Sequence, residues 1–187
     1  AAAGYSVVEL KEELGLTCVQ LKPVFNIAQL RSAGFSIQDL SSSGFNVISL
    51  KNAGISAREL KDVSSLHELK LAGYGAKDVR DAGFTASDLV SAGYSPKDMR
   101  ELFSAQELRD GGMECSAFRS AQFSVESLYS SGLFPLSKIR ESGYTAAEIR
   151  SAGIGAKELK ETAGFSVVDI AAAGYSVVEL KEELGLT

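Results

Sequence analysis

In 187 residues the chain has one histidine, two cysteines and three prolines, and no apolar run approaches the length of a membrane span. Each scarcity excludes a class of function. His67 is the only histidine, and Cys18 and Cys115 lie far apart, so no zinc-ligand set can be assembled and no disulfide scaffold is available. A spanning helix needs about 20 apolar residues, and no charged-then-apolar signal segment opens the sequence. Positive charge is also short, with 19 Lys and Arg against 24 Asp and Glu and a net charge of −5, which argues against a general binder of nucleic acid or anionic membrane. There is no glycine-rich phosphate loop after a strand and no Gly-x-Ser-x-Gly elbow. The reading is a soluble chain of undetermined compartment, not an enzyme, with no cofactor and no metal.

Glycine, by contrast, is abundant at 18 residues, within a composition that is 45% hydrophobic and so points to a folded chain rather than a disordered one. The glycines recur about every ten residues. In the stretch "DAGFTASDLVSAGYSPKDMR" (81–100) the same instruction is written twice. Aligned on the residue after the aromatic, the units begin at Ser6, Thr17, Asn26, Ser36, Asn46, Ser56, Ser65, Gly75, Thr85, Ser95, Ser104, Glu114, Ser124, Pro135, Thr145, Gly155, Ser166 and Ser176.

The unit "FSIQDLSSSGF" (35–45) shows the physical meaning of the pattern. Ser36 is a preferred N-cap, and Asp39 three places on can reach back to the cap amide as in a capping box. Phe35 and Leu40 bracket the first turn as a hydrophobic staple. Gly44 sits where a helix ends in the left-handed conformation, and Phe45 can fold back on the last turn. The fourth helical position is large and apolar in all eighteen complete units, and the third is acidic or Gln in fourteen. First and fourth positions share a helix face, so every helix presents one apolar stripe. A helix of under two turns is unstable alone and must be held by its neighbours.

These features predict an all-α solenoid or superhelix of about eighteen very short helices, one per ten residues, forming a single continuous array over 1–187. The alternative is a pentapeptide-type β-solenoid, because Phe35, Leu40, Phe45 and Leu50 recur every five residues. That fold would have to bury Arg58, Lys77, Lys97 and Lys157 in a narrow core, which favours the helical reading. The decapeptide Ala-Gly-aromatic-Ser/Thr-x-x-acid-Leu-Arg/Lys resembles the general class of short-repeat α-solenoids over essentially the whole chain. The resemblance carries no functional residues with it.

Two longer rhythms overlie the unit. Nine-residue steps after Thr17, Ser56 and Ser95 recur at equal intervals and put Val24, Val63 or Leu102 where the glycine should be. They suggest about four helices per superhelical turn. Second, "AAAGYSVVELKEELGLT" stands at 1–17 and again, letter for letter, at 171–187. The two copies are offset by seventeen units, so residues 1–170 form one higher-order unit and 171–187 start the next copy. A chain that closes on itself is the other reading, and a longer array is preferred because an uncapped solenoid has no intrinsic end.

Of the polar rows, the acids at the third position (Glu9, Asp39, Glu59, Glu68, Asp78, Asp88) read as capping acids favoured by the helix dipole rather than as a carboxylate site. A basic row at the fifth position (Lys11, Lys51, Lys61, Lys70, Arg80, Arg100, Arg109, Arg119, Arg140, Arg150, Lys160) could track an anionic polymer, but reads first as a solvated row paired with neighbouring acids. His67 falls at a solvent-facing second position, and Cys18 and Cys115 read as small core residues. The second position turns apolar near the two ends, at Val8, Val19, Ile48, Val168 and Val178. These five form the candidate interaction patch, with burial by a bend of the superhelix as the competing reading.

The expected function is a structural or protein-interaction module, a segment of a longer array that acts as spacer, scaffold or filament. Its partners would be proteins, including copies of itself through the array ends. A binding module for a peptide or anionic polymer is the alternative. If function is local, it should lie where the unit breaks: Val24, Val63, Leu102, the "SGLFPLS" joint at 131–137, and the terminal valines.

Overall fold

A computed structural model describes residues 4–185, all of whose regular structure is helical; no described residue lies in a strand. The β-solenoid is thereby excluded, and Arg58, Lys77, Lys97 and Lys157 all face solvent. The chain divides into two compact units, Ala1–Ala92 and Gly93–Thr187. The first carries α1 (Val7–Glu12), α2 (Cys18–Leu21), α3 (Ile27–Ser32), α4 (Ile37–Ser42), α5 (Val47–Asn52), α6 (Ala57–Leu60), α7 (Leu66–Leu71), α8 (Ala76–Asp81) and α9 (Ala86–Ser91). The second carries α10 (Pro96–Met99), α11 (Ala105–Asp110), α12 (Cys115–Ser120), α13 (Val125–Tyr129), α14 (Leu136–Glu141), α15 (Ala146–Ser151), α16 (Ala156–Glu161), α17 (Val167–Ala172) and α18 (Val177–Leu184).

Each helix starts at the residue the repeat designates. Ser36 accepts from the Asp39 amide at 3.1 Å while Asp39 accepts from the Ser36 amide at 2.8 Å, a complete capping box. Ser6 with Glu9, Ser56 with Glu59, Ser65 with Glu68, Thr85 with Asp88 and Ser104 with Glu107 repeat it. The helix ends follow the repeat too. After α3, the Gly34 amide donates to the Arg31 carbonyl at 2.8 Å and the Phe35 amide to the Leu30 carbonyl at 3.1 Å, the paired bonds of a Schellman ending. At Gly44 that ending requires φ of 82°, which a side chain resists. Gln122 alone among the described non-glycine residues adopts positive φ, at 61°, because the unit "SAQF" puts it in the glycine slot.

The fourth positions form the core. Leu30, Leu40, Leu50, Leu60, Leu69, Val79 and Leu89 in the first unit are fully buried, as are Leu108, Phe118, Leu128, Ile139, Ile149, Leu159 and Ile170 in the second. Each such side chain contributes about 1.5–3 kcal/mol relative to exposure, and this burial offsets the weakness of one-and-a-half-turn helices. Cys18 and Cys115, at the first position, are buried free thiols in the same core.

The nine-residue steps have a simple local form. They coincide with the four-residue helices α2, α6 and α10, which stop without a left-handed residue: the amides of Val24 and Phe25 both donate to the Leu21 carbonyl at 3.0 Å, and Val63–Ser64 and Leu102–Phe103 do the same at Leu60 and Met99. Their regular recurrence does not mark a turn of four helices. Packing runs mainly between helix n and helix n+2, as in α6 against α8, α10 against α12 and α16 against α18. Side chains then reach helix n+3, as Arg31 of α3 does to Glu59 of α6. Within each unit a turn therefore takes between two and three short helices.

Candidate functional site

The basic row at the fifth position is where the structure departs most from expectation. These cations do not chiefly pair with acids. Most of them reach across to the joint that ends helix n+2 and opens helix n+3, whereas Arg80 lies 3.6 Å from Asp81. Lys11 of α1 donates to the carbonyls of Ala33 and Gly34 at 2.8 and 2.9 Å and lies 4.7 Å from the centre of the Phe35 ring. Lys22 does the same with Ser43, Gly44 and Phe45, and Lys51 with Ala72, Gly73 and Tyr74. Lys61 donates to the Gly83 carbonyl at 2.8 Å below Phe84, and Lys70 to the Ala92 carbonyl at 2.8 Å.

The second unit builds the same rung with arginine. Arg100 donates to Ala121 at 3.2 Å and covers Phe123; Arg140 donates to Ala163 at 3.0 Å and covers Phe165. Arg109, Arg119 and Arg150 lie over Phe134, Tyr144 and Tyr175. The physics is consistent throughout. The last carbonyls of a short helix have no intrahelical partner and carry the negative end of the dipole, so a cation is favoured there. The exposed face of the next aromatic ring adds cation–π attraction.

Where the aromatic is missing, the rung changes. Arg31 faces the joint at Ile55 and turns instead to Glu59, at 2.9 Å. Tyr129 stands in the fifth position of α13, faces the joint at Ile154, and donates its hydroxyl to Glu158 of α16. Ser41, not a cation, takes the fifth position of α4, and the joint two helices on, Val63–Ser64, has neither glycine nor aromatic. The sequence carried this signal as a covariation: a cation at the fifth position goes with an aromatic at the joint two helices on, over spacings that run from that of Lys51 and Tyr74 to that of Arg150 and Tyr175. Reading units singly, or against their immediate neighbours, hides it.

The tyrosines close the rung from the other side. Tyr74 donates to the Ile55 carbonyl, Tyr144 to Phe123 at 2.8 Å, and Tyr175 to Ile154. Burial pushes the Tyr144 phenol up to about 12. Glu9 and Asp39 move the other way. The backbone amide and hydroxyl of Ser6 hold Glu9 below the ordinary carboxylate value, and the hydroxyl and amide of Ser36 do so for Asp39. Glu148 also accepts Arg119 from helix n−3 at 3.0 Å. The acid row is thus capping machinery, as its spacing suggested.

All five residues of the candidate patch are exposed: Val8 at 39%, Val19 at 60%, Ile48 at 53%, Val168 at 78% and Val178 at 62%. No bend of the array covers them. Val19 and Ile48 take the same position in α2 and α5, three helices apart. Val8 is one helix before Val19, whereas Val168 and Val178 belong to the second unit. Of the breaks in the unit, Val24 is exposed, Val63 and Leu102 are half-buried, and the "SGLFPLS" joint is core: Leu133 and Leu136 are buried, and Phe134 meets Phe118 edge-on at 5.4 Å.

His67 is exposed and stands in the second position of α7. Among the described residues no group of three or more His, Cys, Asp or Glu is placed to hold a metal, and no helix is long and apolar enough to cross a membrane. Shallow grooves recur beside the rungs, one lined by Lys51, Ile55, Arg58, Tyr74 and Asp78 and others by Arg119, Phe123, Tyr144 and Glu148 or by Arg140, Tyr144, Phe165 and Asp169. Their repetition marks them as furrows of the packing.

Two stretches, residues 4–66 and 64–135, match the family described as a decapeptide repeat region. No curated protein and no solved structure matches the chain.

Proposed function

This chain belongs to the decapeptide repeat family, and from that premise we propose that it works as a structural and protein-interaction module, a stiff spacer or scaffold segment within a longer array. What supports the reading is how its chemistry is engaged. The cations that would make a polyanion track donate to backbone carbonyls of other repeats, from Lys11 to Arg140. The acids that would make a carboxylate site accept from backbone amides at helix starts, from Glu9 to Glu179. Aromatic rings lie under the cations. Side chains deployed in this way fix the relative positions of repeats, which is the property a spacer requires. The exposed apolar residues Val8, Val19 and Ile48 in the first unit, and separately Val168 and Val178 in the second, are where such a scaffold would take a protein.

The test is single-molecule energy transfer with dyes at exposed positions inside each unit, Glu12 with Ser91 and Glu101 with Glu182. A stiff spacer gives one narrow distance distribution in each unit, unchanged between low and high salt. A broad or salt-dependent distribution contradicts the reading. Val8→Lys and Val178→Lys test these residues: loss of association by light scattering with an unchanged melting temperature supports a contact surface, and the reverse result opposes it.

A further inference from the structure

Among the aspartates and asparagines of the chain, Asp110 alone is followed by glycine. Every other one precedes a residue with a side chain, from Asn26 before Ile27 to Asp169 before Ile170. The backbone does not require this glycine. Gly111 caps α11 at φ of −73° and ψ of −1°, in the right-handed region that any residue adopts, and Ala82 fills the same slot after α8 at −76° and −6°. The left-handed residue of this joint is the next one, Gly112, at φ of 94°. What Gly111 changes is access: no Cβ shields its amide from the neighbouring Asp110 carboxyl.

An aspartate before glycine holds a nucleophile and an electrophile within one small ring. The Gly111 nitrogen can attack Cγ of Asp110, forming an N–Cγ bond and breaking the C–OH bond, and the amide proton leaves with the hydroxyl as water. The product is a cyclic succinimide. Water then adds to one of the two ring carbonyls. Opening at Cγ restores aspartate; opening at the main-chain carbonyl gives isoaspartate, in which the chain runs through Cβ and Cγ. Only water is lost and regained. Folded α11 opposes the first step. The Gly111 amide is committed to the Glu107 carbonyl at 2.9 Å. Asp110 is the last residue of the helix, and ring closure needs rotation about its ψ away from the helical value. Gln106, one turn back, donates from Nε2 to both carboxylate oxygens at 2.8 and 2.9 Å. That arrangement fits the ionised carboxylate, whereas the neutral carboxyl is the better electrophile.

We propose that Asp110 is a self-modification site, converted through the succinimide to isoaspartate when the last turn of α11 opens, and that Gln106 is the positioning residue that guards it. Both side chains are exposed, and the end of a short helix is where opening costs least. Lys77 holds Asp81 at 2.7 Å from the same two positions of α8, but Ala82 follows there, so the reactive pair is peculiar to α11. Isoaspartate adds a methylene to the main chain just before Gly111. The Gly112 amide then loses register with the Arg109 carbonyl, and the Met113 amide with the Leu108 carbonyl, each now 2.9 Å away. Met113 is the buried anchor of this joint. A long-lived chain would therefore loosen here as it ages. The reaction is intramolecular, so it stands whether or not the chain is a spacer.

The test incubates the 187-residue chain in mildly acidic buffer, folded and in guanidinium chloride. Isoaspartate at each aspartate is measured by mass spectrometry after digestion with a protease that cleaves before aspartate but not before isoaspartate. It should form at Asp110 ahead of every other aspartate, and more slowly in the folded chain than in guanidinium. Gln106→Ala should raise the folded rate about twofold, the worth of one exposed helical side-chain pair, and leave the guanidinium rate unchanged. Gln106→Lys should keep the guard, as Lys77 does at Asp81. Gly111→Ala should suppress the reaction in both states without lowering the urea midpoint, since its φ suits alanine. Isoaspartate at Asp110 forming no faster than at Asp81 or Asp88 in guanidinium overturns the site. A folded rate at Asp110 that equals the guanidinium rate, or that is indifferent to Gln106→Ala, overturns the guard.

Discussion

Replacing Lys22 by methionine isolates the charge of one rung while keeping most of the side chain's apolar stem. The ammonium donates to the half-buried Ser43 carbonyl at 3.1 Å and to the exposed Gly44 carbonyl at 2.7 Å, and lies 4.7 Å from the centre of the Phe45 ring. Water can replace the bond at the exposed carbonyl, so its loss costs little. The half-buried one contributes about 1 kcal/mol, and the ring contact about 0.5–1 kcal/mol. Charge at the end of α4 contributes about 0.3–1 kcal/mol, but this overlaps with the hydrogen bonds. The total is about 1.5–2 kcal/mol, or roughly 3–8 °C of melting temperature for a chain of this size. Thermal and urea unfolding of Lys22→Met measure it against Lys97→Met, whose exposed lysine occupies a second position. Lys22→Arg should recover most of the loss, because the second unit builds its rungs with arginine. If Lys22→Met and Lys97→Met are indistinguishable, the carbonyl contacts contribute nothing and the reasoning fails.

Three further outcomes follow from the same structure. Gln122→Gly should raise stability by about 1 kcal/mol by relieving the left-handed residue at φ 61°, whereas Gly73→Ala should lower it by about 1–2 kcal/mol, since φ there is 84° and the new Cβ would stand 3.0 Å from Lys51 Nζ; denaturant titrations read both. Glu9, Asp39, Glu59, Glu68 and Asp88 titrate below the ordinary values of 4.5 for Glu and 3.8 for Asp, so the folded state prefers them ionised: their stabilisation is complete above those values and is lost as pH falls through the folded ones. Tyr144 is raised instead, from 10.0 to about 12, so its contribution is complete below pH 10 and lost as pH climbs towards 12; melting curves across pH should show both edges. Cys115 is 1% exposed and burial pushes its thiol up, so a thiol reagent should modify it only as fast as the chain opens, and rapid labelling under native conditions would contradict the packing.

Much of the architecture was legible because a helix start and stop are local events. Ser36, Asp39 and Leu40 specify the opening of α4 within one short stretch, and Gly44 with Phe45 specifies its close. The N-caps from Ser6 to Ser176 therefore fall where the alignment puts them. The tight ends at Val24, Val63 and Leu102 were visible as nine-residue steps, but their recurrence suggested four helices per turn. The turn is set elsewhere, by which distant joint a fifth-position cation reaches, and that information is spread over positions as far apart as Lys11 and Gly34 or Arg140 and Ala163.

The same distance explains the misreading of the basic row. Lys61 and Asp88 look like ordinary surface charges in sequence, and an ion pair is the local guess. The Gly83 carbonyl, a backbone acceptor invisible as a letter, takes the lysine instead. Val8 and Val178 stand out in sequence because they break a polar position, and the structure leaves both exposed. Tyr5 is exposed and Tyr175 buried, a difference that could not be read from identical letters; only their neighbours distinguish them.

The central claim is that a cation in one helix is energetically coupled to the aromatic joint at the end of the second helix after it. A double-mutant cycle on Lys61→Met and Phe84→Leu tests this most directly, since the ammonium stands 5.0 Å from the ring centre although the whole of α7 and α8 separates the two along the chain. The account predicts a coupling of about 0.5–1 kcal/mol in urea unfolding, with none between Lys61→Met and Phe45→Leu. Strictly additive effects at Lys61 and Phe84 would contradict it.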